Sequence, residues 1–377
     1  MSFVLTEEQE SIRKTAKSFI AERAPVAHLR ALRDAPDAVG FSRDLWKEMA
    51  SLGLGGMAIP ETYGGAGLGF AELGLVLTEC GRTLAPTPFV STVLLGASAL
   101  LVAGATEASQ ALLPGVCAGE RIIAFAHDEG SRFAPYAVAT RAEADGGGFR
   151  LSGEKTFVLD GHVANDFIVV ARSAGTPNER TGLTLLRVPA DAPGITVTRT
   201  HMVDSRNAAR VRFNATPARD VLGRPGEGAD VLDAVLDRAT AGLCAEMLGG
   251  IEEAFDRTVT YLKTRKQFGV PIGSFQALKH RAAHLFCEVE LSKSIVLDAL
   301  RAVDAKRPDL SRVVSVAKAR LSDTYIAVTS EAVQMHGGVG VTDELDIGLF
   351  LKRARVAEMT LGTAAYHRRR FAELHGY

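Results

Sequence analysis

The chain has 377 residues, 47% of them hydrophobic, and its 43 Lys and Arg against 44 Asp and Glu leave a formal charge of −1. A sequence this long and apolar buries a sizeable core in two or three domains, which excludes a disordered chain, and its even charge balance excludes the basic footprint of a nucleic-acid binder. Four cysteines, Cys80, Cys117, Cys244 and Cys287, lie far apart with no C-x-x-C pair, which fits a reducing, cytoplasmic setting and argues against a disulfide framework or a zinc site.

The opening stretch MSFVLTEEQESIRK places acids where an export signal carries basic residues. Thr6 with Gln9 three residues on makes a capping box, after which Ile12, Ala16, Phe19 and Ile20 recur at helical spacing. Further helices are expected at about 41–53, 70–83, 90–104 and 106–118, with the glycine-rich AIPETYGGAGLGF (58–70) as an ordered loop. The longest apolar run, Val93 to Ala105, is shorter than the ~20 residues that span a bilayer and is broken by Gly96 and Gly104, so no membrane is expected as a partner.

After Gly119 the pattern changes to short β-rich runs separated by turn residues, among them RIIAFAH, DFIVVAR, GLTLLRV, ITVTRT and ARVRFNA, with Ala144-Asp145-Gly146-Gly147 as a hairpin turn. From Ala229 helix returns in long pieces: Cys244, Met247, Leu248, Ile251, Phe255, Val259 and Leu262 form one apolar stripe, and 273–303, 309–334 and 345–375 repeat the character. The expected fold is therefore an α+β multidomain one. An all-α N-terminal domain (1–118) precedes a middle β-barrel domain (119–225) and a C-terminal four-helix bundle (226–377).

YLKTRKQFGVPIGSFQALKHR (261–281) and EAVQMHGGVGVTDELDIGLFLKRAR (331–355) closely resemble the two signature stretches of the acyl-CoA dehydrogenase family of flavoproteins, and LSGEKTFVLDGHVANDFIVVAR (151–172) resembles its middle-domain strand pair. The resemblance covers essentially the whole chain. It implies FAD as cofactor and α,β-desaturation of an acyl-CoA thioester as reaction. It also implies a homologous subunit in a homo- or hetero-oligomer, dimer or tetramer, and an electron-transferring flavoprotein as electron acceptor. By the same resemblance Arg265, Phe268 and Gln276 hold the ADP half of an FAD bound mainly to the neighbouring subunit, and Gln334, Gly337 and Gly338 contact the nucleotide. Chemically, an arginine fork at a helix end suits a diphosphate, and a glycine turn lets a backbone approach anionic oxygens. His336 has no second His or acid at ligand spacing, and no metal is expected.

The family's Glu-Gly-Thr, whose glutamate takes the α-proton while its backbone N–H polarises the thioester carbonyl, is here Leu361-Gly362-Thr363. Gly362 and Thr363 survive; the carboxylate does not. Members that carry the base on the first bundle helix place it, counting back from Arg265, at Ala239, whose helical neighbours Val235, Leu236, Gly242 and Leu243 are apolar. Both base positions are thus empty. Glu358, three residues before Leu361 on an assumed continuous helix, and Glu246, two turns beyond Ala239, are the substitutes to weigh, each against an ordinary reading as a helix-surface carboxylate. Beside the flavin ring the family's Trp-Ile-Thr/Ser becomes Phe157-Val158-Leu159: Phe157 can still form an apolar wall, whereas Leu159 has no hydroxyl to donate. AHDEGSRFAPY (126–136) likewise departs from the family segment.

Groups that a subunit uses on its own flavin ring and substrate are degraded, while those lent to a neighbour are kept. The leading expectation is a base-lacking subunit that completes a partner's FAD site, with Ala239, Leu243, Leu361 and Gly362 on the substrate side. Bacterial family members acting on bulky thioesters, including steroid side chains, resemble this arrangement. The alternatives are a self-sufficient homo-oligomeric dehydrogenase using Glu358, and a non-catalytic CoA-thioester or nucleotide-binding scaffold. Flavin oxidases and hydroxylases of the same fold stay open beside them.

Overall fold

The computed structural model describes residues 5–35 and 37–377. Helix α1 (Glu7–Arg23) begins at the expected capping box: Gln9 N donates to Thr6 Oγ1 at 3.2 Å and Thr6 N to Gln9 Oε1 at 3.1 Å. A helix outside the expected set, α2 (Val26–Asp34), follows directly; Pro25 at its start and the buried Val26 and Leu29 are the signals that mark it. Next come α3 (Arg43–Ser51), capped by Ser42, and α4 (Phe70–Thr83). The loop between them is ordered by its own backbone ladder, with Ala66 N on Gly56 O, Gly67 N on Ile59 O and Leu68 N on Met57 O. The apolar run starts as a π-helix (Phe89–Ala97), passes into α5 (Ser98–Val102), and is followed by α6 (Thr106–Cys117). Among the described residues no helix is long and apolar enough to cross a membrane.

Eight strands form one sheet: β1 (Ile123–Ala126), β2 (Arg141–Asp145), β3 (Gly148–Leu159), β4 (Asp166–Arg172), β5 (Leu183–Pro189), β6 (Ile195–His201), β7 (Asn207–Ala218) and β8 (Asp220–Leu222). Their order is β6-β7-β3-β2-β4-β5-β8, with β1 added parallel to β4, so the barrel is a partly open one whose hydrogen-bond path ends at β6 and β8. The hairpin turn is the expected one: Asp145 pairs with Gly148 across Gly146 and Gly147, both at positive φ. Leu151, Phe167, Val169, Leu186, Val211 and Phe213 fill the inner face, and Phe167 meets Phe213 edge-on at 6.4 Å. Pairing of β3 with β7 shifts register between Lys155 and Val158, and this bulge turns Phe157 (φ +50°) out of the sheet.

The helical region comprises α7 (Ala229–Thr264), a two-residue hairpin β9 (Lys266–Gln267) and β10 (Val270–Pro271), α8 (Gln276–Asp304), α9 (Leu310–His336), α10 (Ile347–Met359) and α11 (Ala364–Leu374). The last two correct the expected single helix over 345–375, because the chain breaks at Thr360–Thr363. Along α7 the predicted stripe is buried at Cys244, Met247, Leu248, Ile251 and Leu262. Where α4 crosses α7 the contact is backbone to backbone: a Cβ on Gly249 would lie 1.8 Å from Thr78 O, and one on Gly81 2.0 Å from Glu246 O. Only glycine fits either place.

By its contacts the chain divides into two compact units. One comprises the segment up to Asp34 together with Phe70–Ala85 and Thr240–Tyr377; the other comprises Ala35–Gly69 and Pro86–Ala239.

Candidate active site

The hairpin after α7 turns at Phe268 and Gly269, with φ of +52° and +78°. Both values belong to a type I′ turn, where glycine is at ease and phenylalanine is not. Ile272 N donates to Arg265 O and closes the hairpin, and Phe268 meets Phe275 edge-on at 6.1 Å. Phe268 is 92% exposed, so its ring stands in solvent apart from that edge contact. Arg265 is exposed as well and pairs with no carboxylate among the described residues, unlike Arg257, Arg281 and Arg320, which each hold a glutamate. Gln276 begins α8 and is exposed.

Tyr261, one turn before Arg265, stacks on His336 at 4.2 Å and donates its hydroxyl to His336 O at 3.3 Å. This joins the end of α7 to the end of α9 and brings the hairpin to the same end of the bundle as Gln334, Gly337 and Gly338. Burial lowers the proton affinity of His336, and its Nδ1 lies 2.7 Å from Ala332 O, so its work is local. Gly337 closes α9 at φ +66°, ψ −147°, a conformation essentially reserved for glycine. A Cβ on either Gly337 or Gly338 would meet nothing within 4 Å, so the turn offers bare, approachable backbone. Gln334 is exposed beside it.

At the other motif α10 stops at Met359, and Leu361 and Gly362 adopt φ of +57° and +99°. Thr363 then caps α11, its Oγ1 accepting from Tyr366 N at 3.3 Å, which leaves its hydroxyl proton free to donate. Gly362 is therefore no mid-helix glycine: it lies where only glycine is unstrained, and Leu361 beside it carries a left-handed strain of about 1–2 kcal/mol.

Two buried side chains hold this break. Lys318 of α9 donates from Nζ to Glu358 O at 3.0 Å, Gly362 O at 2.8 Å and Ser322 Oγ at 3.2 Å. His367 Nε2 lies 2.9 Å from Leu361 O, which assigns it the proton. Burial drives Lys318 down to about 8, and burial with the Lys318 charge drives His367 to about 3, while burial pushes the Cys244 thiol up to about 12. Thr360 N and Gly362 N are taken by Val356 O and Met359 O, whereas the Leu361 N–H meets no acceptor among the described residues. Leu361 itself is 4% exposed.

Three family models match along the chain: the acyl-CoA dehydrogenase N-terminal domain over residues 6–120, its middle domain over 126–216 and its C-terminal domain over 226–374. A probable acyl-CoA dehydrogenase of Bacillus subtilis, YngJ, is 30% identical over 376 residues, covering 98% of both chains. The chain belongs to the acyl-CoA dehydrogenase family. Acyl-CoA dehydrogenase IpdE2 of Mycolicibacterium smegmatis is 31% identical over 359 residues, 95% of this chain and 96% of that one. Of solved structures, a variant of the Tcur3481-Tcur3483 steroid ACAD superposes with TM-score 0.89 at 33% identity over 98% of each chain. The ChsE4-ChsE5 complex from Mycobacterium tuberculosis does so with 0.90 at 29% identity, over 100% of this chain and 99% of that one.

Acyl-CoA dehydrogenases are oxidoreductases that generally bind FAD. The exposed Arg265 without an acid, the uncovered Phe268 and the bare Gly337-Gly338 turn fit the nucleotide end of that cofactor. On the sheet, Phe157 is half exposed on its bulge and Leu159 offers no donor, so the ring-side set fits only as an apolar wall.

Both substitute carboxylates sit in other settings than expected. The break at Thr360 removes the shared helix face expected of Glu358 and Leu361, and Glu358 instead accepts from Arg355 at 3.3 Å. Glu246 is not a surface residue: it is buried and paired at 3.4 Å with the buried Arg353. Ala239 and Leu243 are fully buried.

Sequence reasoning missed Lys318, His367 and Asp160. Lys318 follows Val314 by four residues and precedes Leu321 by three, so it occupies a core position of α9; that spacing is the available signal. Asp160, at φ +53°, accepts from Ser91 of the π-helix at 2.5 Å, and burial raises it to about 6. The divergent 126–136 segment serves the middle domain's structure, since Glu129 accepts from the fully buried Lys155 and from Ala139 N and Thr140 N.

Proposed function

We propose that this acyl-CoA dehydrogenase chain is the base-lacking subunit of an oligomer and completes the FAD site of a homologous partner. One observation carries the reading. At the break, the chain keeps a free, buried backbone donor at Leu361 but sets an apolar side chain where a proton-abstracting carboxylate belongs, and Ala239 leaves the other base position equally empty.

Arg265, Phe268, Gln276, Gln334, Gly337 and Gly338 would hold the adenosine diphosphate end of the cofactor, Arg265 through its planar donors and the glycines through exposed N–H groups. Phe157, Leu159 and Thr363 would instead face the ring of a flavin in this chain's own site, with the Thr363 hydroxyl as the remaining polar contact. Bound FAD supplies the hydride acceptor for the β-carbon. In this chain's own pocket the Leu361 N–H would still donate to a thioester carbonyl, but no carboxylate would take the α-proton there. Desaturation would therefore fall to the partner's site, where carboxylate and flavin ring stand together. Ala239, Leu243, Leu361 and Gly362 would keep water from the acyl group. The relatives named for steroid substrates and for a two-component complex support a bulky thioester and a heteromeric partner. By the same family likeness the setting is the cytoplasm and the electron acceptor an electron-transferring flavoprotein.

The test is expression of the chain alone and together with a neighbouring homologue. Little flavin and no acyl-CoA oxidation are expected from the lone chain, and both from the pair. Full flavin loading with turnover by the lone chain overturns the reading.

A further inference from the structure

Lys318 is wholly buried, yet its ammonium has no carboxylate partner among the described residues. Three neutral oxygens take its three protons. A buried ammonium without a counter-ion is costly, and a methionine or leucine would pack the same volume without that cost. Its position explains what the charge does. When α10 stops, the carbonyls of its last turn lose their helical donors; Glu358 O would have received Gly362 N had the helix continued, but that N–H is turned to Met359 O. Lys318 replaces the missing donor and lies at the negative end of the α10 dipole, which offsets part of the desolvation. The same head group also takes Gly362 O, so it bridges the residues on either side of Leu361.

We propose that Lys318 is a positioning residue for the break: by tying Glu358 O to Gly362 O, with His367 holding Leu361 O, it fixes the Leu361 peptide so that its N–H is left to face the oxygen of a bound thioester. The role of that N–H rests on the functional reading above; the tether itself is a property of this chain alone and is tested as such. The titratable groups around the ammonium are Cys244 from α7, Glu358 from α10 and His367 from α11. Only the first two favour its charge.

The experiment is amide hydrogen exchange on the full chain, read over residues 360–367, where Thr360, Gly362, Tyr366 and His367 donate hydrogen bonds. In Lys318→Met this segment should exchange about tenfold faster, the worth of roughly one hydrogen bond, while the amides of β4 and β5 keep their protection. Unchanged protection at 360–367 overturns the proposal, and so does loosening spread evenly over the whole bundle, which would make Lys318 an ordinary core residue.

Should the variant fail to fold, the wild-type chain gives the same answer through pH. Lys318 titrates at about 8 in the folded chain against 10.5 when free. Between those values the unfolded chain binds the extra proton, so this group makes global stability rise with pH, and up to pH 9 the Cys244 thiol does not yet oppose it. A neutral amine has one donor fewer. From pH 7 to 9, after division by the intrinsic exchange rate, protection at 360–367 should therefore fall about tenfold while global stability does not, and a flat local profile sinks the tether. If the tether holds and the lone chain nonetheless oxidises acyl-CoA, the subunit reading fails and Lys318 keeps its structural role.

Discussion

Two breaks in the helical region use the same local device and support it in opposite ways. At Phe268-Gly269 and at Leu361-Gly362 a bulky apolar residue and a glycine both adopt positive φ. The first pair closes a short hairpin with its aromatic ring in solvent; the second is buried, its carbonyls held by Lys318 and His367. A left-handed bulky residue costs about the same in either setting, so the difference lies in what offsets it. At the hairpin the offset is local, and the side chain stays in solvent. At the buried break the offset is tertiary, and what is left over is a backbone N–H.

The contrast can be broken most severely from the buried side. His367→Leu deprives Leu361 O of its donor and should cost about 1–3 kcal/mol in urea unfolding at pH 7. It should also flatten the acid limb. Folded His367 resists protonation down to about 3, whereas the unfolded chain takes the proton near 6.5, so this residue makes stability fall as pH drops through that interval. Between pH 7 and 4.5 its contribution is roughly 2–3 kcal/mol, and equal pH slopes for parent and variant would refute it.

Gly362→Ala should destabilise by about 1–2 kcal/mol, whereas Gly269→Ala should cost under about 1 kcal/mol because an exposed hairpin can relax into another turn. Equal unfolding midpoints for the two alanine variants would erase the distinction. The smallest effect on folding belongs to Phe268→Ala, within about 0.5 kcal/mol of the parent, since its ring touches little of its own chain. Its effect surfaces elsewhere: flavin retained by the assembly after gel filtration, read from visible absorbance, should fall at least about tenfold in affinity if Phe268 covers a partner's cofactor.

What the sequence discloses follows the same line between local and tertiary causes. The Thr6–Gln9 capping box, the Gly146-Gly147 turn and the long apolar stripe of α7 are settled by residues a few places apart, and all are legible. Among the glycines that the sequence singles out, Gly337 announces itself because essentially only glycine suits its dihedrals. The break at Leu361 is hidden because a leucine in a left-handed conformation carries no compositional mark; Gly362 alone hints at it, inside a stretch whose periodicity runs on. Lys318 escapes notice for the converse reason, as a lysine in a helix ordinarily reads as solvated, and only its place between Val314 and Leu321 betrays its burial. Glu246 misleads likewise, since its partner Arg353 lies far along the chain.

The glycine crossing of α4 and α7 bears on how relatives of this chain can diverge. Gly81 lies against the main chain at Glu246 and Gly249 against the main chain at Thr78, so the two backbones pass with no room for a Cβ between them. Any side chain larger than hydrogen at either place would push the two helices apart, so relatives that keep this close crossing should keep glycine at both positions.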